Sequence, residues 1–402
     1  MGGFFPAMFG DLLKMMRSDA PVQWDFALQL AQSVAADVDA GNAGEANVEP
    51  VERIRLEGLV QIAELHVADV TGMVTRLGGG RIALHGTTRT EWARRALEGW
   101  RWLLDDVAAA SRPPQGSLQL PPELFGDEPE QAHQLAGMIG QWAQAMAPAM
   151  TAMQIGSAVG HLARHTLGQY EVPVPRHAHE ELDVVPANIA EFVEAWSLPA
   201  DDTALYLLTR DVATHAVLTR PHVAERLGHL LVEHARGLRP DPRALSEHLR
   251  EVMTGEVTDI EQIGRLLGDP TALAPRVASG EGLSVSLELE GLSAVLAGYV
   301  EWVTDTVAAR AIAGRVAVRE ALRRRRLERG AEERAAEALF GLELDHDQRQ
   351  RGAAFITGVL ERGGESELAK LWVVEPNLPT PAEVDAPGLW IERVNLPHAD
   401  PR

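Results

Sequence analysis

The sequence predicts a mainly α-helical protein, a multi-helix architecture with little or no β-sheet. Apolar residues recur at helical spacing through most of the 402 residues, which is the pattern of helices that bury one face. Strand-like runs are confined to LWVVE at 371–375 and LWIERV at 389–394, both close to prolines. No internal repeat of about 20–50 residues is present, so a solenoid is not expected.

In chain order, residues 1–20 are rich in Gly, Phe and Met without a period, and read as a flexible tail that gains order only by docking. Trp24, Leu28, Ala31, Ala35 and Val38 predict a first helix, and Ile54, Leu59, Ile62 and Leu65 predict the apolar face of a second over 51–70. The run Gly78-Gly79-Gly80 breaks the chain. Thr88-Arg-Thr-Glu91 has capping-box spacing ahead of Trp92, Leu97, Trp100 and Leu103, so another helix begins there. Residues 21–130 form the predicted N-terminal helical domain, closed by the Pro-rich stretch 112–129.

Residues 131–168 carry Met138, Met146, Met150 and Met153, interrupted by Pro148, with Gly156-x-x-x-Gly160 beyond. They predict a core helix pair whose glycines permit close backbone approach. Gln141, Gln144, Gln154, His161 and Arg164 argue against a membrane-active segment. Further helices are expected near 186–196, 201–219, 222–236, 243–253, 259–267, 283–309, 316–340 and 347–362. Residues 131–345 read as the helical core, and 346–402 as a C-terminal helix and a Pro-rich extension that wraps back over the body.

Composition restricts the chemistry. A formal net charge of −21 repels nucleic acid and anionic lipid, so neither is an expected partner. With no cysteine, disulfides, thiolate zinc sites and a cysteine nucleophile are excluded, and any metal must be held by His, Asp or Glu. No continuous run of about 18 apolar residues predicts membrane insertion. The first residues lack the basic flank and cleavage site of a signal peptide, and a cytoplasmic protein is expected. Lys14 and Lys370 are the only lysines. Arginine in their place, with abundant Ala and Val, suggests a GC-rich bacterial coding sequence.

Several constellations could carry chemistry. His161 and His165 stand at i and i+4, the spacing of a helical metal pair, with His177 and His179 close by, but position 162 is Leu where a general-base Glu would sit. Two surface or helix-end histidines are the expectation. His215, His222 and His229 recur every seven residues, with Pro221 separating the first from the others. Arg319, Arg323, Arg324, Arg325, Arg326 and Arg329 form a basic run interleaved with Glu320, Glu328, Glu332 and Glu333. That pattern predicts a solvated face of i,i+4 ion pairs rather than a phosphate-binding surface. Nucleophile-elbow, P-loop and dinucleotide fingerprints are all absent.

The helix YLLTRDVATHAVL, from Tyr206, is apolar nearly all round and is predicted to be central and buried. Its polar residues, Arg210, Asp211, Thr214 and His215, are then either a site or a satisfied internal network.

These residues, with VPANIAEFVEAWSLPADDTALYLLTRDVATH (185–215), LEGLSAVLAGYVEWVTD (289–305), REALRRRRLERG (319–330) and ALFGLEL (338–344), resemble the zincin-like metallopeptidase type 2 family, common in actinobacteria and known as hydrolases or as a domain of unknown function. The resemblance runs from about residue 20 to residue 385. It implies a helical relative of zinc peptidases whose active members carry H-E-x-x-H on one helix and a third ligand on a later one. With Tyr206 as anchor, H-E-x-x-H falls on Arg210-Asp211-Val212-Ala213-Thr214. Sliding by one places His215 in the second ligand position, but puts Asp211 in the first and Val212 at the base. The later motif, Glu-Gly-His or Glu-Gly-aromatic, reads Ala297-Gly298-Tyr299.

The resemblance therefore implies a metallopeptidase-related protein without zinc catalysis, a pseudoenzyme acting as a binding or scaffold module for a protein or peptide partner. No cofactor is expected. A salt-bridge network is expected in place of the metal, with Arg210 pairing a buried acid such as Glu301. The alternative is an active metal-dependent peptidase that binds zinc through an unconventional set including Asp211 and His215. A metal-free variant would use Asp211, His215 and Tyr299 as acid and base.

Overall fold

The computed structural model describes residues 20–36, 47–76, 79–110, 129–176, 181–240, 276–278 and 280–396. The tail, the Pro-rich stretch, Gly78, Val38, His177, His179 and the helices expected at 243–253 and 259–267 lie outside these residues. So do the side chains of Met138 and Met146.

The described chain is mainly helical. Its first four helices are α1 (Trp24–Ala35), α2 (Pro50–Thr71), α3 (Arg89–Ala110) and α4 (Pro129–His165). They are followed by α5 (Pro186–Ala195), α6 (Ala200–Leu218) and α7 (Pro221–Gly237). After these come α8 (Gly280–Ala311), α9 (Arg315–Glu328), α10 (Ala331–Phe340), α11 (His346–Leu368), α12 (Pro381–Asp385) and α13 (Pro387–Asn395). Four short strands accompany them. β1 (Ala83–Gly86) pairs in parallel with β2 (Glu181–Val184), with Leu84 opposite Leu182, and β3 (Leu238–Pro240) pairs antiparallel with β4 (Arg276–Ala278).

The helices before residue 110 pack directly on those after residue 129. The small residues Ala27, Ala31 and Ala35 of α1 are buried, and α1 lies along α4. The approach is as close as Gly156-x-x-x-Gly160 suggests. A Cβ at Gly156 would stand 2.6 Å from the Ala27 carbonyl oxygen, and one at Gly160 would stand 2.8 Å from that of Ala31. α3 begins as expected, with the Thr88 hydroxyl accepting the Glu91 N–H at 3.2 Å, and buries Trp92, Leu97, Trp100 and Leu103.

Four local expectations are corrected, the first being the helix pair over 131–168, which is one helix, α4, that runs through Pro148. On α2 the buried face is Leu56, Val60, Ala63 and Val67, while Ile54 (65% exposed) and Leu65 (70%) point away with Ile62. The face that meets α6 is thus turned from the predicted one. The helix expected over 316–340 is two helices, parted at Arg329-Gly330, where Gly330 is extended. The two strand-like C-terminal runs are not strands. Trp390 and Val394 lie on helix α13, which starts with Pro387 at its first turn. Leu371 and Trp372 plug the core from a turn that leaves Val373 and Val374 exposed.

The C-terminal elements do wrap back. α11 lies along α8, and the buried Trp390 packs on Phe355 and donates to the Asn377 carbonyl at 2.7 Å. Among the described residues one helix, Gly282–Ala311, could cross a membrane by length and composition. Here it sits against α6, α7 and α11.

The α8–α11 crossing is a backbone contact. A Cβ on Gly352 would stand 1.9 Å from the Ala294 carbonyl oxygen, and one on Gly298 would stand 2.6 Å from the Gly352 carbonyl carbon. Gly352→Ala is therefore expected to destabilise the protein by about 1–3 kcal/mol through overpacking, although alanine is the better helix former by roughly 1 kcal/mol. Thermal unfolding would measure it, and a raised Tm would contradict the packing account.

Candidate functional site

From Thr203 to Leu218 every residue of α6 is buried except Arg210, which is partly exposed. The threonines satisfy themselves within the helix: Thr209 donates to the Leu205 carbonyl and Thr214 to the Arg210 carbonyl at 2.9 Å. The Tyr206 hydroxyl reaches Asp305 on α8 at 3.2 Å, and Arg210, Asp211 and His215 are met by one segment just beyond α4, residues 168–171.

Each residue of that segment contacts the polar stripe of α6. Gly168 packs so tightly on Asp211 that a Cβ there would overlap the carboxylate. The Gln169 N–H donates to Asp211 Oδ2 at 2.7 Å. The Tyr170 hydroxyl and His215 Nδ1 are 2.8 Å apart, and Glu171 pairs with Arg210 at 3.2 Å. Burial dominates the acid–base behaviour. It raises Asp211 to about 6 against the pull of Arg210, lowers His215 to about 4, and pushes the Tyr170 phenol far above its usual range. His215 is thus neutral at physiological pH.

Glu171 is the centre of charge. Its buried carboxylate is shared by Arg210, Arg325 at 3.3 Å and Arg329 at 3.4 Å. Burial alone would raise its pKa, but the three guanidinium charges outweigh that and hold it well below the ordinary carboxylate range. Arg329 also donates to Glu337 at 2.8 Å. The acid facing Arg210 is thus Glu171, not the expected Glu301, which lies 3.6 Å from Arg319 instead. The segment after α4 reaches the middle of α6, and Glu301 is left beside α9.

Beside Arg210 a cavity of about 130 Å³ opens between α6, α8, α9 and residues 342–349. That is room for several waters or a small ligand group. Tyr170, Glu171, Arg210, Thr214, Ser293, Ala297 and Glu301 stand in its wall, along with Arg319, Arg326, Arg329, Glu337 and Arg349. Asp211 and His215 lie behind the wall in the packed network. Tyr299 belongs to an aromatic cluster with Trp302 and Trp372 and is buried. The three acid–base candidates are therefore not brought to one open space.

The remaining histidines do not converge either. His161 is partly buried and His165 is exposed near the end of α4, while His222 and His229 lie apart on α7, away from the buried His215. The arginine run divides between two faces. Arg323 and Arg324 pair outside with Glu320, as expected. Arg325 and Arg329 turn inward to Glu171, which spacing alone did not reveal. The available signal was the buried stripe of Val318 and Leu322, which projects on the same side as both inward arginines.

A family model described as zincin-like metallopeptidase matches residues 22–391. The chain belongs to this family. A crystal structure from Chloroflexus aurantiacus, described as a "putative hydrolase with a novel fold", is similar at a TM-score of 0.55 with 20% identity, covering 94% of this chain and 99% of that one. At that identity the likeness is one of fold. No curated protein matches the chain.

A catalytic zinc in a zincin-like protein requires about three N or O ligands and a carboxylate that handles the proton of the bound water. The residues at the positions the resemblance assigns do not fit that ion. Arg210 is a permanent cation already bound to Glu171, Thr214 donates into its own helix, and Ala297 offers no ligand atom. Among the described residues no three His, Asp or Glu side chains gather into a metal-binding group.

Proposed function

We propose that this chain is a cytoplasmic binding or scaffold module on a metallopeptidase framework, working without zinc catalysis and serving a protein or peptide partner. The observation that carries the reading is the Arg210–Glu171 pair at the position assigned to the first metal ligand. Three guanidinium groups around one carboxylate make that position cationic, and a cation repels Zn²⁺. The buried, neutral His215, engaged by Tyr170, supports the same reading.

One observation favours an active metal-dependent hydrolase as the second reading: among the described residues Asp211 Oδ1 is buried without a hydrogen bond of ordinary geometry, the Gln169 and Tyr170 N–H groups both lying against the carboxylate. Metal analysis of the purified chain, together with a peptide-library assay, separates the two. The expected result is no tightly bound zinc, a metal content unchanged by His215→Ala, and no chelator-sensitive cleavage. One tightly held zinc that is lost in His215→Ala, with cleavage abolished by chelator, would establish the hydrolase instead.

A further inference from the structure

The cavity beside Arg210 holds more positive charge than its own acids answer. Arg210, Arg319, Arg326, Arg329 and Arg349 stand in its wall against Glu171, Glu301 and Glu337, an excess of two positive charges in a chain of formal net charge −21. The three acids are already engaged. Glu171 is shared among Arg210, Arg325 and Arg329, Glu337 binds Arg329, and Glu301 faces Arg319. Among the described residues no carboxylate lies within ion-pair distance of Arg326 or Arg349. Arg349 donates, among the described residues, only to the Leu344 carbonyl, at 3.2 Å. Like charges crowd here, since Arg349 is pushed down first by burial and then by the charge of Arg326.

A second, independent observation lies in the same wall. Ser293 is only 3% exposed, and among the described residues its hydroxyl has no hydrogen-bond partner. Buried donors are as a rule satisfied by protein, water or ligand, so two unmatched cations and an unmatched hydroxyl around one space mark it for an acceptor-rich anion.

We propose that this cavity binds a dianionic phosphate group, carried by a small ester or free, with Arg326 and Arg349 as its charged partners and Ser293 as a hydroxyl donor. A phosphomonoester carries about −1.5 to −2 charges at neutral pH and three strong acceptor oxygens, which meets the excess of two. A carboxylate would leave one cation unanswered. The planar guanidinium presents a fork of parallel N–H donors suited to such oxygens. Leu296, Val300, Leu322 and Leu342 in the same wall give an esterified group an apolar surface. Binding makes and breaks no covalent bond. A cleft with an excess of one sign also focuses the local field, which offsets the net acidity of the chain for an entering anion.

This inference goes beyond the binding-module reading and is tested apart from it. Titration calorimetry of the full chain at low salt, with chelator present, uses inorganic phosphate and phenyl phosphate as probes. Saturable binding is expected. Arg326→Gln and Arg349→Gln are each expected to weaken it about tenfold or more, the scale of a lost charge-assisted hydrogen bond. Ser293→Ala is expected to weaken it by less. Arg323→Gln, on the outer face against Glu320, should leave it unchanged. Tighter binding of phenyl phosphate assigns the site to an ester, and equal or weaker binding assigns it to free phosphate. No saturable binding of either probe at millimolar concentration, or an equal loss in Arg323→Gln, overturns the proposal. Arg326 is exposed, so its variant keeps the test decisive if Arg349→Gln fails to fold. Bound zinc would sink the binding-module reading alone, and absent phosphate binding without zinc would sink only this inference.

Discussion

Replacing Glu171 by Gln is expected to cost about 3–5 kcal/mol of stability, the scale set by removing one partner from a buried charge network. Arg210, Arg325 and Arg329 all lean on that carboxylate, and its loss leaves like charges facing one another. Arg210→Gln should cost less, because two guanidinium groups still hold Glu171. Urea denaturation at neutral pH, read as a shift in midpoint with the slope unchanged, would measure both. Equal losses in the two variants would show that Glu171 is not the hub.

The same carboxylate has a pH signature. Its pKa is held well below the ordinary 4.5, so the unfolded chain takes up the proton more readily than the native state. The stabilisation is complete above about 4.5 and is lost as pH falls toward the folded value. His215 and Asp211 also titrate, but in opposing senses. His215, lowered from 6.5 to about 4, costs stability as pH falls through that window. Asp211, raised from 3.8 to about 6, returns some over much the same range. The Glu171 contribution is therefore read as the difference between wild type and Glu171→Gln below about pH 4.5. That difference should shrink with acid, and a gap independent of pH would contradict the assignment.

Asp183→Asn is expected to be of similar size, about 3–5 kcal/mol, with no effect on the cavity. Asp183 is fully buried on β2 and accepts from Arg95 at 2.7 Å and from Arg176 at 3.0 Å. The Arg176 guanidinium also lies over the rings of Trp92 and Trp100, at 4.7 and 4.9 Å from their centres. Asparagine keeps the shape but removes the charge that holds both arginines inside. Tryptophan fluorescence during denaturation follows the loss where it occurs. A change below about 1 kcal/mol would mean that the cation–π contacts with the two tryptophans, and not the carboxylate, retain Arg176.

The two networks were unequally visible in the sequence. α6 was readable as a buried helix because its apolar residues cover every side, and its four polar residues were singled out for that reason. The arginines of α9 were visible as charges, but their division between an inner and an outer face was not. Ion pairs at i,i+3 and i,i+4 are local, so Glu320 with Arg323 and Arg324 followed from spacing. Glu171 did not, because 39 residues separate it from Arg210 and no local rule joins them. Asp183 and Arg95, 88 residues apart, were missed for the same reason.

On α2 the apolar pattern was real but misread. Ile54, Ile62 and Leu65 are the larger residues of that pattern, yet the neighbouring helix meets the adjoining face, Leu56, Val60, Ala63 and Val67. The C-terminal runs failed differently. Short apolar segments beside proline suit a strand or a helix equally by composition, and burial of Trp390 and Trp372 decided for a helix and a turn.

By itself the sequence determined the helical class, the burial of α6 and the chemistry of positions 210, 214 and 297, because residue type and local period are enough for these. The tertiary structure alone decided which acid meets Arg210, which arginines turn inward and where positive charge is left over. Those outcomes depend on how the segment at 168–171, α8 and α9 come together around α6, and long-range packing, not spacing along one helix, brings such charges within reach of each other.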